Sequence, residues 1–316
     1  MSSPRPPALA HRAPPATDPG LVELCLMGPR HLASHLEWFK QFTDNNTALD
    51  VAATTQFWRG AAARYEQLAL EQAGAADQPQ IKPLPAAAAA HVAKLLALPA
   101  FRETFNDVPV AFGMVELDRL VVSQYMLTQA TVRSVAAAQR PSPGRLAKIC
   151  LPLAATQASV KLAGHDDDLF SFIADAHDMR YLGAKVLDAA QISGLTMRGH
   201  VQKVVALCVG YSTNLMNVVR YNGRLVLNNG HHRAYSLRAQ GVSHVPCVIQ
   251  ACASFEEVRL AATDEIVDNS DLYFEAPRPP LLRDFDDPLL SCKMPVPRLR
   301  RELRLRVSTD SRQLAL

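Results

Sequence analysis

The chain has 316 residues, of which 48% are hydrophobic and 6% aromatic, and 33 basic against 30 acidic residues leave a net charge of +3. That length suits one large domain or two ordinary ones, and the apolar fraction suits a packed core. So even a charge balance excludes a bulk polyanion binder, and any contact with nucleic acid would need a local basic patch.

The first 20 residues hold six prolines and no apolar signal core, and read as a disordered tail. Residues 21–106 read as a helical N-terminal region. Leu36, Phe39, Phe42, Phe57, Tyr65, Leu68 and Leu70 are spaced for amphipathic helices, with a break at Asp44-Asn45-Asn46-Thr47. A proline-containing linker over 74–85 leads to a helix over 86–98, stopped by Pro99. The alanine-rich run there contains His91 and Lys94 and is too short to span a bilayer. Cys25, Cys150, Cys208, Cys247, Cys252 and Cys292 form no CxxC pair, which fits free thiols in a reducing compartment, and no metal-ligand set is expected. Together these features predict a cytoplasmic protein that makes no contact with a membrane.

A second unit is expected over 107–270. Val115-Glu116-Leu117-Asp118-Arg119-Leu120 reads as a short strand and turn, and Pro141-Ser142-Pro143-Gly144 as a loop. A large insertion at about 130–194 reads as mainly helical, with one or two strands over 149–162. Helices are expected from Leu169, over 181–192 up to Gly194, and over 200–209. The sequence His165-Asp166-Asp167-Asp168 is able to supply oxygen ligands to Mg2+, but acidic residues at a helix start explain it more simply. His177, Asp178 and Arg180 read as surface residues. His244 and Cys247 lack the further ligands of a metal site, and Cys247 reads as core.

Asn222-Gly223, between Val218-Val219-Arg220-Tyr221 and Arg224-Leu225-Val226-Leu227, predicts a hairpin with a type I′ turn. A helix over 234–240 with Gly241 at its end, a strand over 245–249 and a helix over 255–267 follow. Residues 271–316 read as an extended, proline-rich surface segment. Its end carries Arg298, Arg300, Arg301, Arg304 and Arg306 alternating with leucines. That run is either a phosphate-contacting patch or, the reading preferred, a charged edge strand that blocks aggregation.

Chemistry concentrates at Asn228-Asn229-Gly230-His231-His232-Arg233, between strand and helix. Glycine lets the backbone turn sharply, the helix start presents N–H groups and the positive end of its dipole, and Arg233 offers a bidentate fork for phosphate. His231 and His232 are able to donate hydrogen bonds or exchange a proton near neutral pH. The bland alternative is a turn that only joins strand to helix, with Arg233 paired to a carboxylate.

Val115 to Leu120, the strand ending at Leu227, Gly230-His231-His232-Arg233-Ala234, Leu237-Arg238-Ala239-Gln240-Gly241 and Val245-Pro246-Cys247-Val248 occur in an order that resembles the ParB/sulfiredoxin-like superfamily. The resemblance implies an α+β fold: a small mixed β-sheet core with a helical N-terminal region and a large helical insertion. It also implies a nucleoside triphosphate or diphosphate, with or without Mg2+, bound by Asn228, Asn229, Gly230, His231, His232 and Arg233. The catalytic candidates are then His231, His232 and Glu116 on the early strand. Superfamily members include CTP-hydrolysing partition proteins, ATP-dependent sulfiredoxins and free-serine kinases with a similar Gly-His-His-Arg turn. His231 stands where sulfiredoxins place a reactive cysteine, the partition proteins favour Gly-Glu-Arg-Arg, and Asn229 replaces the kinases' acidic residue. Two functions follow: a nucleotide-dependent hydrolase or phosphotransferase, or an interaction module without chemistry. The module would bind a protein partner through its helical N-terminal region or, less favoured, associate with nucleic acid.

Overall fold

In the computed structural model, which describes residues 21–40, 50–136, 141–154, 158–166, 168–175, 178–194, 199–296 and 300–314, the first element is a strand where a helix was expected. β1 (Leu21–Leu26) precedes α1 (Leu32–Lys40), α2 (Val51–Glu71), α3 (Ala86–Ala97) and α4 (Pro99–Thr104). Leu24, Cys25 and Leu26 are all buried, because β1 has a strand on either side and is covered on both faces. A run buried on both faces shows no alternation, and helix propensity alone misreads it. The predicted tail and the break at Asp44 to Thr47 lie outside the described residues. Pro99 ends α3 as expected and also opens α4, since proline is tolerated in a first helical turn.

The next elements are β2 (Val110–Glu116), β3 (Val121–Val122), β4 (Met126–Thr128), α5 (Gln129–Ala136) and α6 (Pro143–Cys150). Of the strands expected over 149–162, none begins before Lys161 among the described residues. Pro143 instead starts a helix that runs to Cys150 and buries Leu146, Ala147 and Cys150.

After α5 and α6 the insertion is built of strands, which corrects the helical reading from Leu169 onward. β5 (Lys161–His165) and β6 (Leu169–Ala174) form a hairpin, and β7 (Met179–Asp188) and β8 (Lys203–Tyr211) form a second one. Asp166 and Asp168 therefore belong to a hairpin turn, not to a helix start, and Asp166 N–H donates to Leu169 O at 2.8 Å. The period-two order of Phe170, Ser171 and Phe172 was the available strand signal. It was weak because most of these residues stay partly exposed, so no single apolar face stands out.

β9 (Asn217–Tyr221) and β10 (Arg224–Asn229) form the expected hairpin, with Asn222 at φ 46 and Gly223 at φ 73, as a type I′ turn requires. Then come α7 (His231–Ala239), β11 (His244–Ala251), α8 (Phe255–Ala261) and α9 (Asp264–Asp268). The single helix expected over 255–267 is thus divided near Ala262. The central mixed sheet has the order β2-β11-β9-β10-β3, with β11 parallel to β9 and β3 parallel to β10. Val218, Val219, Leu225, Val226, Leu227, Val245 and Val248 supply its core. The architecture is α+β, with helices around several small sheets.

The C-terminal segment is no surface strap. Tyr273, Phe274, Leu281, Leu282, Phe285 and Leu290 are buried, and β12 (Ser291–Val296) pairs with β1 along its full length. Arg278 and Asp284, 1% and 3% exposed, form a bidentate pair at 2.8 and 2.5 Å. Tyr65 Oη donates to Arg278 O at 2.7 Å, which ties the segment to α2. Prolines were read as a sign of exposure, but here they shape a buried return. The last element, β13 (Arg301–Arg306), is the charged edge strand expected, paired with β6 only. No described helix is long and apolar enough to cross a membrane.

Breaking the buried pair by Asp284→Asn should lower unfolding free energy by about 3–5 kcal/mol, the usual effect of stranding one buried charge. Arg300→Ala, at the exposed Arg300–Asp175 pair, should change it by about 0–1 kcal/mol. Urea unfolding of the two variants checks both values.

Candidate functional site

The turn after β10 is fixed by steric demand. Gly230 adopts φ 102, and a Cβ there would lie 2.5 Å from Met216 Cγ, so glycine alone fits. α7 starts at once, and its axis holds the next three side chains in different directions.

Arg233 does not line the cleft described below. Its Nη1 donates to Ile149 O at 3.2 Å, Cys150 O at 3.3 Å and Asn214 O at 2.8 Å. The first two carbonyls end α6, where a helix presents its negative pole and unpaired acceptors. Arg233 is thus a helix C-terminal clamp, which corrects its assignment as a phosphate fork. The expected carboxylate partner is also replaced, by backbone oxygen.

His232 Nε2 accepts the Thr128 N–H at 3.0 Å, which ties α7 to β4 and requires that nitrogen to be unprotonated. His231 is 4% exposed and lies with Nε2 3.4 Å from both Ser123 N and Ser123 Oγ. Burial, helped by neighbouring His232, lowers its pKa from the ordinary 6.5 to about 3. A ring held neutral in this way is a poor proton exchanger at neutral pH, contrary to its expected catalytic role. Glu116 lies away from the turn, on β2 opposite His244, with its carboxylate 3.7 Å from Arg119. It contributes nothing to the cleft.

Asn228, Asn229 and His231 do line a cleft of about 730 Å³. Asn217 and Gln250, both 5% exposed, join them from β9 and β11. These amides interlock: Asn228 Nδ2 and Gln250 Nε2 donate to Asn217 Oδ1 at 3.0 and 3.3 Å. Asn228 Oδ1 accepts Thr263 N–H at 3.1 Å, which fixes the α8–α9 junction beside the cleft. Asn229 Nδ2 donates to Thr213 O at 3.1 Å.

The charged residues of the cleft were not marked by the sequence. Arg30 follows β1, Asp178 and Arg180 lie at the root of β7, and Asp264 and Glu265 start α9. Glu265 pairs with Arg30 and accepts from Tyr273 Oη at 2.5 Å and from Asn269 at 3.2 Å. The Arg30 guanidinium sits 4.9 Å from the Tyr125 ring centre, and Trp58 Nε1 holds Arg30 O at 2.9 Å. Asp178 and Arg180, read as surface residues, are thereby brought to the site, whereas His177 lies outside the described residues. Among the described residues no three His, Cys, Asp or Glu side chains stand together as a metal cage.

Two measurements test this assignment. Arg233→Lys should cost about 1.5–3 kcal/mol of stability, the value of a charge-assisted hydrogen bond, read as a drop in urea midpoint. His231 has its folded pKa below its unfolded one, so its contribution is complete above pH 6.5 and is lost as pH falls towards about 3. His231→Gln should flatten the stability profile across that window, and an unchanged slope would contradict a buried neutral ring.

Comparisons of the chain with protein-family models, curated proteins and solved structures return no match.

Proposed function

We propose that the cleft binds a phosphate-bearing small molecule of the nucleotide class, and that the turn shapes the binding site without performing acid–base chemistry. The observation that carries this reading is convergence. His231 at the start of α7, two arginines and an interlocked set of amides all line one cleft of about 730 Å³. That volume falls in the range of about 300–1,000 Å³ common for small-ligand sites. The amides supply directional hydrogen bonds suited to a base or sugar. Arg180 supplies positive charge for phosphate, and Arg30, paired with Glu265 and stacked on Tyr125, adds a second guanidinium.

The resemblance to the ParB/sulfiredoxin-like superfamily supports the same ligand class, with the phosphate grip moved from Arg233 to Arg180 and Arg30. Mg2+ would be held chiefly by the phosphates, with Asp178 and Asp264 as candidate outer ligands. Turnover has weaker support than binding, because Arg233 and His232 are committed to backbone groups and His231 is held neutral. This favours a ligand-responsive interaction module over a hydrolase or phosphotransferase.

Thermal shift with a panel of nucleoside di- and triphosphates, with and without Mg2+, tests the reading. A ligand at 100 times its dissociation constant should add about 2.7 kcal/mol of stability. Arg180→Ala should abolish that gain without changing the melting temperature of the free protein. Arg233→Lys should lower the free melting temperature but keep the gain. If no nucleotide stabilises the protein at millimolar concentration, the cleft does not bind this class.

A further inference from the structure

The β7–β8 ribbon stands out as a structural element that is incomplete by itself. It has only two strands, with Val186 facing Val205 across it, and these two residues are 65% and 61% exposed. Leu182 and Tyr181 are also exposed. Isolated two-stranded ribbons are marginally stable in water, and three or more strands are needed for independent stability.

The free edges of this protein are not alike. β13 is guarded by Arg301, Arg304 and Arg306, and β5 is short and bears Lys161 and His165. The outer edge of β2 is covered at Met114 by paired hydrogen bonds of 2.8 and 3.0 Å with Lys82. β7 carries Arg180, Lys185 and Asp188 and has a register break near Gly183. β8 differs from all of these. It reads Lys-Val-Val-Ala-Leu-Cys-Val-Gly-Tyr, nine residues with a single charge at one end and no proline. Among the described residues no strand pairs with its outer edge. A long, uncharged edge of this kind is the sort that folded proteins otherwise blunt.

We infer that β8 pairs antiparallel with β8 of a second copy of this chain, making a continuous four-stranded sheet across a twofold axis at Leu207. The charge pattern selects this occupant. With Leu207 on the axis all nine residues pair, Lys203 faces the partner's Tyr211, Val205 faces the partner's Val209, and no like charges meet. The same operation on β13 would set arginines close to one another, so that edge repels its own copy. Such an interface is isologous and closed, and yields a dimer in place of a fibre. The cleft sits at the root of the ribbon, where Asn229 and Arg233 hold Thr213 O and Asn214 O, so the turn sets the direction in which the ribbon projects. The pairing itself is independent of what the cleft binds.

Light scattering on the full chain should give twice the chain mass, falling to the single mass on dilution. Leu207→Lys and Leu207→Glu should each weaken the dimer at least about tenfold by facing like charges across the axis, and mixing the two variants should restore it. Cys208 is exposed and would lie diagonally about 7–8 Å from the partner's Cys208, so a short bismaleimide should cross-link the native dimer and fail on Cys208→Ser. This second measurement needs no disruptive substitution. A single mass at every concentration overturns the inference. So does a dimer that is indifferent to Leu207 or whose cross-link persists in Cys208→Ser. Deleting residues 1–20 provides one more arm: if the chain is monomeric and β8 amides gain hydrogen exchange only on that deletion, the edge belongs to the tail and the dimer is excluded.

Discussion

The capture of one guanidinium by three carbonyls organises the functional half of this protein. Arg233 closes the end of α6, holds the segment that leaves β8, and anchors the first turn of α7. The end of α6 and the segment after β8 thus meet at a single nitrogen carried by α7. A lysine ammonium is a more strongly hydrated point charge on a differently shaped stem, so it would replace the partly buried, weakly hydrated guanidinium at a cost. The residue with the strongest appearance of a ligand contact is therefore a keystone, and the cleft is lined by other residues of the same turn.

This division of labour continues along the motif. Gly230 sets the turn, His232 receives a backbone N–H from β4, and Asn228 pins the α8–α9 junction. Each of these bonds satisfies a polar group that would otherwise be costly to bury. The rest of the cleft lining comes from other parts of the chain, among them Arg30, Asp178, Arg180, Asn217, Gln250 and Asp264.

The legible part of the sequence was the part governed by local geometry. Asn222-Gly223 announced the hairpin because few other residues tolerate that backbone, and Gly230 announced the turn for the same reason. The strand–turn–helix–strand order of β10, α7 and β11 followed. β1, β7 and β8 were misread because their conformation is decided by partners distant in sequence, and their leucines and alanines suit a helix equally well. Residues 278–290 were misread because proline correlates with exposure only on average. Arg30, Asp264 and Glu265 carried no local mark at all, and Asp178 and Arg180 were singled out only to be read as surface residues. An arginine after a strand is unremarkable until folding places it against a tyrosine ring and a carboxylate. The direction of a side chain is equally hidden: Arg233 was placed in the turn ahead of a helix over 234–240, whereas α7 already begins at His231, and the sequence had no means to say which way its fork would face.

The pairing of β1 with β12 has a consequence for how the chain acquires this structure. Residue 21 lies opposite residue 296, and the middle strand of that sheet is the first element described. During synthesis β1 emerges long before the partner strand β12 that it needs. Its apolar Leu24, Cys25 and Leu26 are meanwhile open to solvent and to other nascent chains. Loop closure over such a span is slow relative to local hairpins, so the central hairpin and α7 should consolidate first, with the terminal sheet closing the fold. Chaperone dependence during synthesis, more than stability once folded, would then set the yield of native protein.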